Sequence, residues 1–277
     1  MAAMDSGLSS RLQHVADRRR IAVLPLRGVI GGAMKLDDII RRLGWVRRHA
    51  RIRALLLEID SPGGSATASE ALYVAVRKVA EKKPVVAWIR GTGASGAYFA
   101  ACGASRILTF PAAIVGSIGV ISVRPVAVEM LRRIGTSFEV TKTGAFKDLG
   151  APWREPNDSD RAKERELVDA VFARFTHAVA TARGFDDATL ARVTTGEVWL
   201  GEQALSLGLV DGTADDLDSA LEVAQELAGL PHRQTLRVSP RRTVFQRLGV
   251  PAAGLGPPGE RWLVELEGWM SVPRLRA

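Results

Sequence analysis

Cysteine is nearly absent from this chain. Cys102 is the single one among 277 residues, which excludes an internal disulfide framework and a multi-cysteine metal site. Histidine is almost as scarce. His14, His49, His177 and His232 are the whole supply, and none falls at an expected strand end or glycine turn, where a positioned base would sit. Long apolar runs are missing as well. The first twenty residues hold no continuous apolar stretch, so no signal peptide or N-terminal membrane anchor is expected, and the expected location is cytoplasmic. The most apolar stretch, 107–123, is short for a spanning helix and contains Pro111, Gly116 and Gly119, so a buried strand–turn–strand is expected there. No internal repeat is present.

Charge is plentiful but diffuse. Lysine and arginine outnumber the acids 38 to 30, a net charge of +8. Such a balance can favour nucleic acid or an anionic membrane surface. The arginines are scattered, with small clusters at 18–20, 41–42 and 47–53, and no nucleic-acid-binding module accompanies them. Most of this charge reads as solvated surface, and a nucleic-acid partner is not expected.

The apolar pattern alternates between strands and helices. Continuous runs at 21–26, 54–60, 84–89, 106–110, 115–123 and 137–142 read as strands. Helical spacing marks 36–49, 66–81, 95–102, 126–135, 157–183 and 217–227, and short elements at 190–193 and 204–207 complete the series. Asn157 with Asp158 and Asp160 caps the long helix, and Gly184 stops it. Residues 143–154 read as a loop. Alternation of this kind argues for an α/β fold with parallel pairing and crossover connections. The expected organisation is a flexible lead-in over 1–20, a single catalytic domain over 21–230, and a basic, Pro- and Gly-containing extension over 231–277. In that extension Trp262, Leu263, Val264, Leu266 and Trp269 share helical spacing. The expected short helix docks on the body or a neighbouring subunit, or gives peripheral contact with a membrane surface.

One stretch concentrates chemical potential. The strand at 84–89 runs into Gly91, Gly93, Ser95 and Gly96, and a helix of small residues follows. The glycine spacing matches the dinucleotide fingerprint, which also expects an acid about 20 residues further on. Residues 111–119 contain none, and the next acid is Glu129. The lipase-type G-x-S-x-G turn is a near miss, because position 97 is alanine. With no histidine suitably placed, a base for Ser95 has to be another residue, and lysine is the alternative. Lys147 lies on a glycine-containing loop after an expected strand. A free lysine titrates near about 10.4, so a lysine base must be desolvated and kept from carboxylates. Asp148 is next in sequence and must therefore point elsewhere. Gly63 and Gly64 follow a strand, and Gly96 follows the serine; their backbone N–H groups are candidate oxyanion donors. Taken singly, the lysine reads equally as surface decoration and 61–64 as a plain turn.

In combination these motifs are more specific. EIDSPGG over 58–64, ASGAY over 94–98, GSIGV over 116–120 and KTGAFKD over 142–148 occur in the order found in the signal peptide peptidase A (SppA) family of serine–lysine peptidases. GEVWLGEQA over 196–204 and LGLVD over 207–211 match that family's later signature, and the resemblance covers about residues 21–230. It implies a Clp-protease-like (crotonase-type) spiral of β-β-α units. It also implies Ser95 as nucleophile, Lys147 as general base 52 residues later, Ser117 as the lysine-orienting residue, and Gly63 with Gly64 at the oxyanion. The implied assembly is a homo-oligomeric ring in which serine and lysine meet across a subunit boundary. The implied substrates are hydrophobic or unfolded peptides, remnant signal peptides included, bound partly by strand addition. No metal or other cofactor is called for. The alternatives are a catalytically idle ring-forming scaffold or membrane-associated assembly protein, and acyl-CoA chemistry on the same superfamily fold. Two features depart from the family: Ala97 replaces a usual glycine, and the N-terminal anchor of typical members is not seen. Cys102 reads as a small core residue.

Overall fold

The computed structural model describes residues 19–32 and 34–238. The expected lead-in up to residue 18 and the helix expected over 260–270 lie outside the described residues. Three long parallel strands make the centre: β1 (Arg20–Arg27), β2 (Ile52–Ser61) and β3 (Val85–Ala94). Their apolar runs are continuous because both faces of the sheet are covered. On one face Leu24, Leu57 and Ile89 pack with α1 (Leu36–Arg48), α2 (Ala66–Ala80) and α3 (Gly96–Ala101). On the other, Val23, Leu56 and Trp88 pack with Leu221 and Ala224 of α8 (Leu217–Leu227).

The sheet forks at β3. Its inner edge pairs with β2 from Val85 to Ile89 and again, after a register shift, at Gly93. Its outer edge is shared: Val86 to Ile89 pair with β4 (Arg106–Thr109), and Thr92 to Ala94 pair with β5 (Ile114–Gly116). β4 leads on to β7 (Gly212–Thr213), and β5 leads on to the antiparallel β6 (Val198–Leu200). At the opposite edge β8 (Thr235–Arg237) lies parallel to β1, so the sheet takes this strand from beyond residue 230. Glycine permits the fork. A Cβ on Gly93 would come within 2.7 Å of the Ile89 side chain, and one on Gly91 within 2.6 Å of the Asp60 carboxylate.

Where α8 no longer covers the sheet, Glu58 of β2 is 3% exposed yet charged. Arg27 of β1, Arg90 of β3 and Arg237 of β8 donate to it at 2.6, 2.9 and 3.1 Å. Burial pushes its titration up, and the guanidiniums, led by Arg27 and Arg90, outweigh that and hold it below the usual carboxylate range. One carboxylate thus ties four strands.

Most expected elements form, with shifted ends. β3 runs to Ala94, five residues past its expected end. The strand expected over 115–123 is reduced to β5, and 137–142 forms no strand. The physical reason is the same for both: among the described residues no strand pairs with them to complete a ladder, and Ile121, Val123, Phe138 and Val140 are exposed. The intervening α4 (Val128–Arg133) buries no residue. The long α5 (Asp158–Arg183) begins at the Asn157–Asp160 capping box and ends at Gly184 in the left-handed region. The short α6 (Asp187–Val193) and α7 (Gly201–Ser206) follow it. β6, β7 and β8 were not expected; at two or three residues each they are too short to show a period. Among the described residues, no helix is long and apolar enough to cross a membrane.

Candidate active site

β3 ends at Ala94 and α3 begins at Gly96, so Ser95 alone makes the turn between them. Its backbone sits at φ 52°, ψ −125°. A side-chain-bearing residue held in such a region costs about 1–3 kcal/mol and needs surroundings that enforce it. Here they do: Ser95 N–H donates to the Gly116 carbonyl at 2.7 Å, and the Ser95 carbonyl accepts from Phe99 N–H at 3.0 Å. The hydroxyl does not cap α3 and has no hydrogen-bond partner among the described residues. α3 itself is immobilised: Tyr98 donates its hydroxyl to the Leu209 carbonyl at 2.6 Å, and Phe99 stacks on Phe175 of α5 at 4.7 Å.

The glycines of 61–64 close on this turn. Gly63 has φ 97°, and a Cβ there would lie 2.7 Å from Gly96 N and 2.9 Å from Ser95 Cβ. Its N–H donates to Ser61 Oγ at 3.2 Å, and its carbonyl accepts from Ile30 N–H at 2.7 Å. Gly63 is therefore the point of closest approach. The N–H groups of Gly64 and Gly96 have no acceptor among the described residues. They are neighbours: Gly64 N lies 3.6 Å from the position a Cβ would take on Gly96, a position otherwise filled by the Ser69 side chain. Two unengaged donors beside an unengaged serine hydroxyl have the chemistry to hold a developing oxyanion.

Ser117 joins them through strand register. Ala94 of β3 pairs with Gly116 of β5, so both strands stop one residue short of a serine. Ser117 also has positive φ, 50°, and its N–H donates to the Glu197 carbonyl at 2.6 Å. Gly116, at φ 111°, carries no Cβ because Trp199 lies against it.

Lys147 is joined to this group by no hydrogen bond among the described residues. It is exposed, in a series of tight turns over 144–151, and its side chain has no hydrogen-bond or ion-pair partner among the described residues. Asp148 does point elsewhere. Its carboxylate accepts from Lys142 at 2.7 Å and from Arg154 Nε and Nη2, each at 2.9 Å. These hydrogen bonds, Arg154 first and then Lys142, hold it well below the usual carboxylate range. Arg154 also grips Asp160 in the first turn of α5. The lysine loop is thus tied to one end of α5, and the serine helix is tied to Phe175 further along it. From Asp160 to Phe175 the helix rises about 22 Å.

Several contributors have no sequence signal: Ser61 as acceptor for Gly63, Ser69 behind Gly96, and Arg154 between two acids. Each acts through contacts that only the fold creates. Cys102, buried at the C-terminal cap of α3, has its thiol pushed up to about 12, chiefly by burial, which favours the protonated thiol over the nucleophilic thiolate. His49 stacks on Trp45 at 4.5 Å, just beyond α1.

Comparison with known proteins gives a consistent picture. The model of peptidase family S49 matches residues 77–231, and that of Clp protease matches residues 20–114. A candidate protease of Synechocystis sp. is 34% identical over 215 residues, covering 77% of this chain and 76% of that protein. The chloroplastic serine protease SPPA of Arabidopsis thaliana is 30% identical over 202 residues, 73% of this chain but 30% of that one. A candidate protease of Methanocaldococcus jannaschii is 33% identical over 193 residues, 69% of this chain and 61% of that one. Among solved structures, two mutants of a membrane-bound stomatin-specific protease superpose with TM-scores of 0.51 and 0.53 at 16% identity. They cover 80% and 84% of this chain, and 98% and 96% of their own, and share its Clp-protease-like fold.

Proposed function

The chain belongs to peptidase family S49, and on that footing we propose that it is a serine endopeptidase with Ser95 as nucleophile and Lys147 as general base. The observation that carries this reading is the Ser95 turn, with its constrained backbone, unengaged hydroxyl and adjacent unengaged N–H groups of Gly64 and Gly96. Ser95 Oγ attacks the peptide carbonyl carbon while Lys147 Nζ takes its proton. The developing oxyanion accepts from Gly64 and Gly96 N–H. Collapse breaks the C–N bond, the lysine returns the proton to the leaving amine, and an acyl-enzyme remains. Water, deprotonated by the same lysine, then releases the acid. Ser117, one register step from Ser95, orients the lysine.

Lys147 is supplied by a neighbouring copy of the chain. Its exposure, its lack of a side-chain partner among the described residues, and the exposed apolar side chains of Ile121, Met130, Ile134, Phe138 and Phe146 in the same stretch of chain support a homo-oligomer. The substrates are hydrophobic or unfolded peptides, remnant signal peptides among them. A half-buried serine at a strand end reaches only an extended backbone, and Ile114, Val198 and Leu200 give the adjoining strands an exposed apolar surface.

The test uses fluorescein-labelled casein and the full chain. Ser95→Ala and Lys147→Ala are each expected to lower cleavage at least about a thousandfold. Mixing the two inactive variants under conditions of subunit exchange should restore part of the activity, because some sites then combine an intact serine with an intact lysine. Cleavage untouched by either substitution sinks the mechanism; mixtures that stay inactive after proven exchange sink the shared site.

A further inference from the structure

The carboxylate most able to keep Lys147 charged is the one next to it in sequence, and the fold takes that carboxylate away. Arg154 lies between Asp148 and Asp160 and engages both oxygens of each. Its Nη2 also reaches the Asp148 carbonyl at 3.4 Å, and its Nη1 the Glu155 carbonyl at 3.2 Å. Lys142 fills the remaining space on Asp148, bonding Oδ1 at 2.7 Å and the Ala145 carbonyl at 2.9 Å. Asp160 is 1% exposed and belongs to the capping box of α5, accepting from Asn157 N–H at 3.0 Å.

We infer that Arg154 is a positioning residue for Lys147, withholding Asp148 from the lysine ammonium and fixing the lysine loop to the N-terminal end of α5. The inference rests on Lys147 being the general base. Two further observations support it. Lys142, Asp148, Arg154 and Asp160 form one ion-pair cluster, the Arg124–Glu164 pair at 3.0 Å lies beside the loop, and each of these groups has an opposite charge engaged. Arg124 Nη1 also lies 3.7 Å from the Cβ position of Gly150, close behind the turn. The clamp also keeps its charge wherever a lysine base can work. An arginine does not deprotonate in that range. The paired guanidinium, together with the Asn157 N–H, holds the Asp160 carboxyl at about 2. The latch therefore stays closed while the base it serves exchanges its proton.

A carboxylate released beside an ammonium favours its charged form. Casein cleavage by the full-length assembly would be followed from about pH 6 to about pH 10, across the acidic limb set by the base. Arg154→Gln should move that limb alkaline by about one pH unit, with roughly tenfold less activity near neutrality. Adding Asp148→Asn to Arg154→Gln should bring the limb back, because the released carboxylate is then gone. Arg154→Lys, which keeps the charge and loses the fork, should give a smaller shift, and it serves if Arg154→Gln does not fold. An unshifted limb in a folded Arg154 variant overturns the inference, and so does a shift that survives Asp148→Asn. If Lys147→Ala cleaves casein like the parent, the dyad reading falls instead, whatever the Arg154 variants do.

Discussion

A methyl group on Gly63 would have no room. It would press on Gly96 N at 2.7 Å, the Ala94 carbonyl at 2.9 Å and Ser95 Cβ at 2.9 Å, with φ fixed at 97°. Two backbone atoms and a Cβ fixed to the backbone cannot give way as a side-chain tip would. Gly63→Ala is therefore expected to destabilise by about 2–4 kcal/mol and to displace Ser95. The checks are a urea melt and the labelling rate of Ser95 by a fluorophosphonate. Unchanged labelling would show that the close approach is dispensable. At this scale the sequence was informative where chemistry is local. Ser95, Gly63, Gly64 and Gly96 fall in short motifs whose spacing reports the turn. Arg154 falls in none, and Ser61, though inside the motif over 58–64, gives no sign of its role, because the partners of both are defined by the fold: a polar side chain reads the same in sequence whether it meets water or a buried N–H. Asp148 is intermediate. Its need to turn from Lys147 followed from sequence, whereas the residues that turn it did not.

Among the elements, β1, β2, β3 and β8 share a single buried carboxylate. Glu58→Gln keeps the shape and removes the charge. It is expected to cost about 1–2 kcal/mol at neutral pH, less than a fully buried pair because the three arginines are half-exposed. Its titration lies lower in the folded than in the unfolded chain. The contribution is therefore complete above the unfolded value of about 4.3 and disappears as pH falls through the folded value. Urea melts at neutral pH and near pH 3 should show the difference between parent and variant closing in acid. A constant difference would mean that shape, not charge, is what Gln disturbs. The long strands were readable because burial on both faces leaves an uninterrupted apolar run. The short strands at the fork were not, since two or three residues carry no period. The segment over 137–142 shows the converse. Its β-forming composition is plain, yet a strand needs a neighbour, and the described residues offer it none.

For the whole molecule, the exposed apolar face over 121–146 is the feature that a monomer explains least. Ile121 is 86% exposed and Ile134 67%, so replacing each with Asp should leave the isolated fold intact. If a second copy covers this face, burying either side chain contributes about 2 kcal/mol, roughly thirtyfold in association. The paired variant Ile121→Asp with Ile134→Asp should sediment as a smaller species and lose casein cleavage in parallel. Unchanged size together with unchanged activity would remove this face from the assembly. The net charge of +8 argues in the same direction, because like-charged copies need such apolar contact to associate. One consequence follows from α5, which is tied to the serine helix through Phe175 and to the lysine loop through Asp160. Under the proposed mechanism, a newly made chain carries a nucleophile and a base that it cannot use on each other. Such a chain is latent when dilute and switched on by its own accumulation, with an activity that climbs more steeply than its concentration.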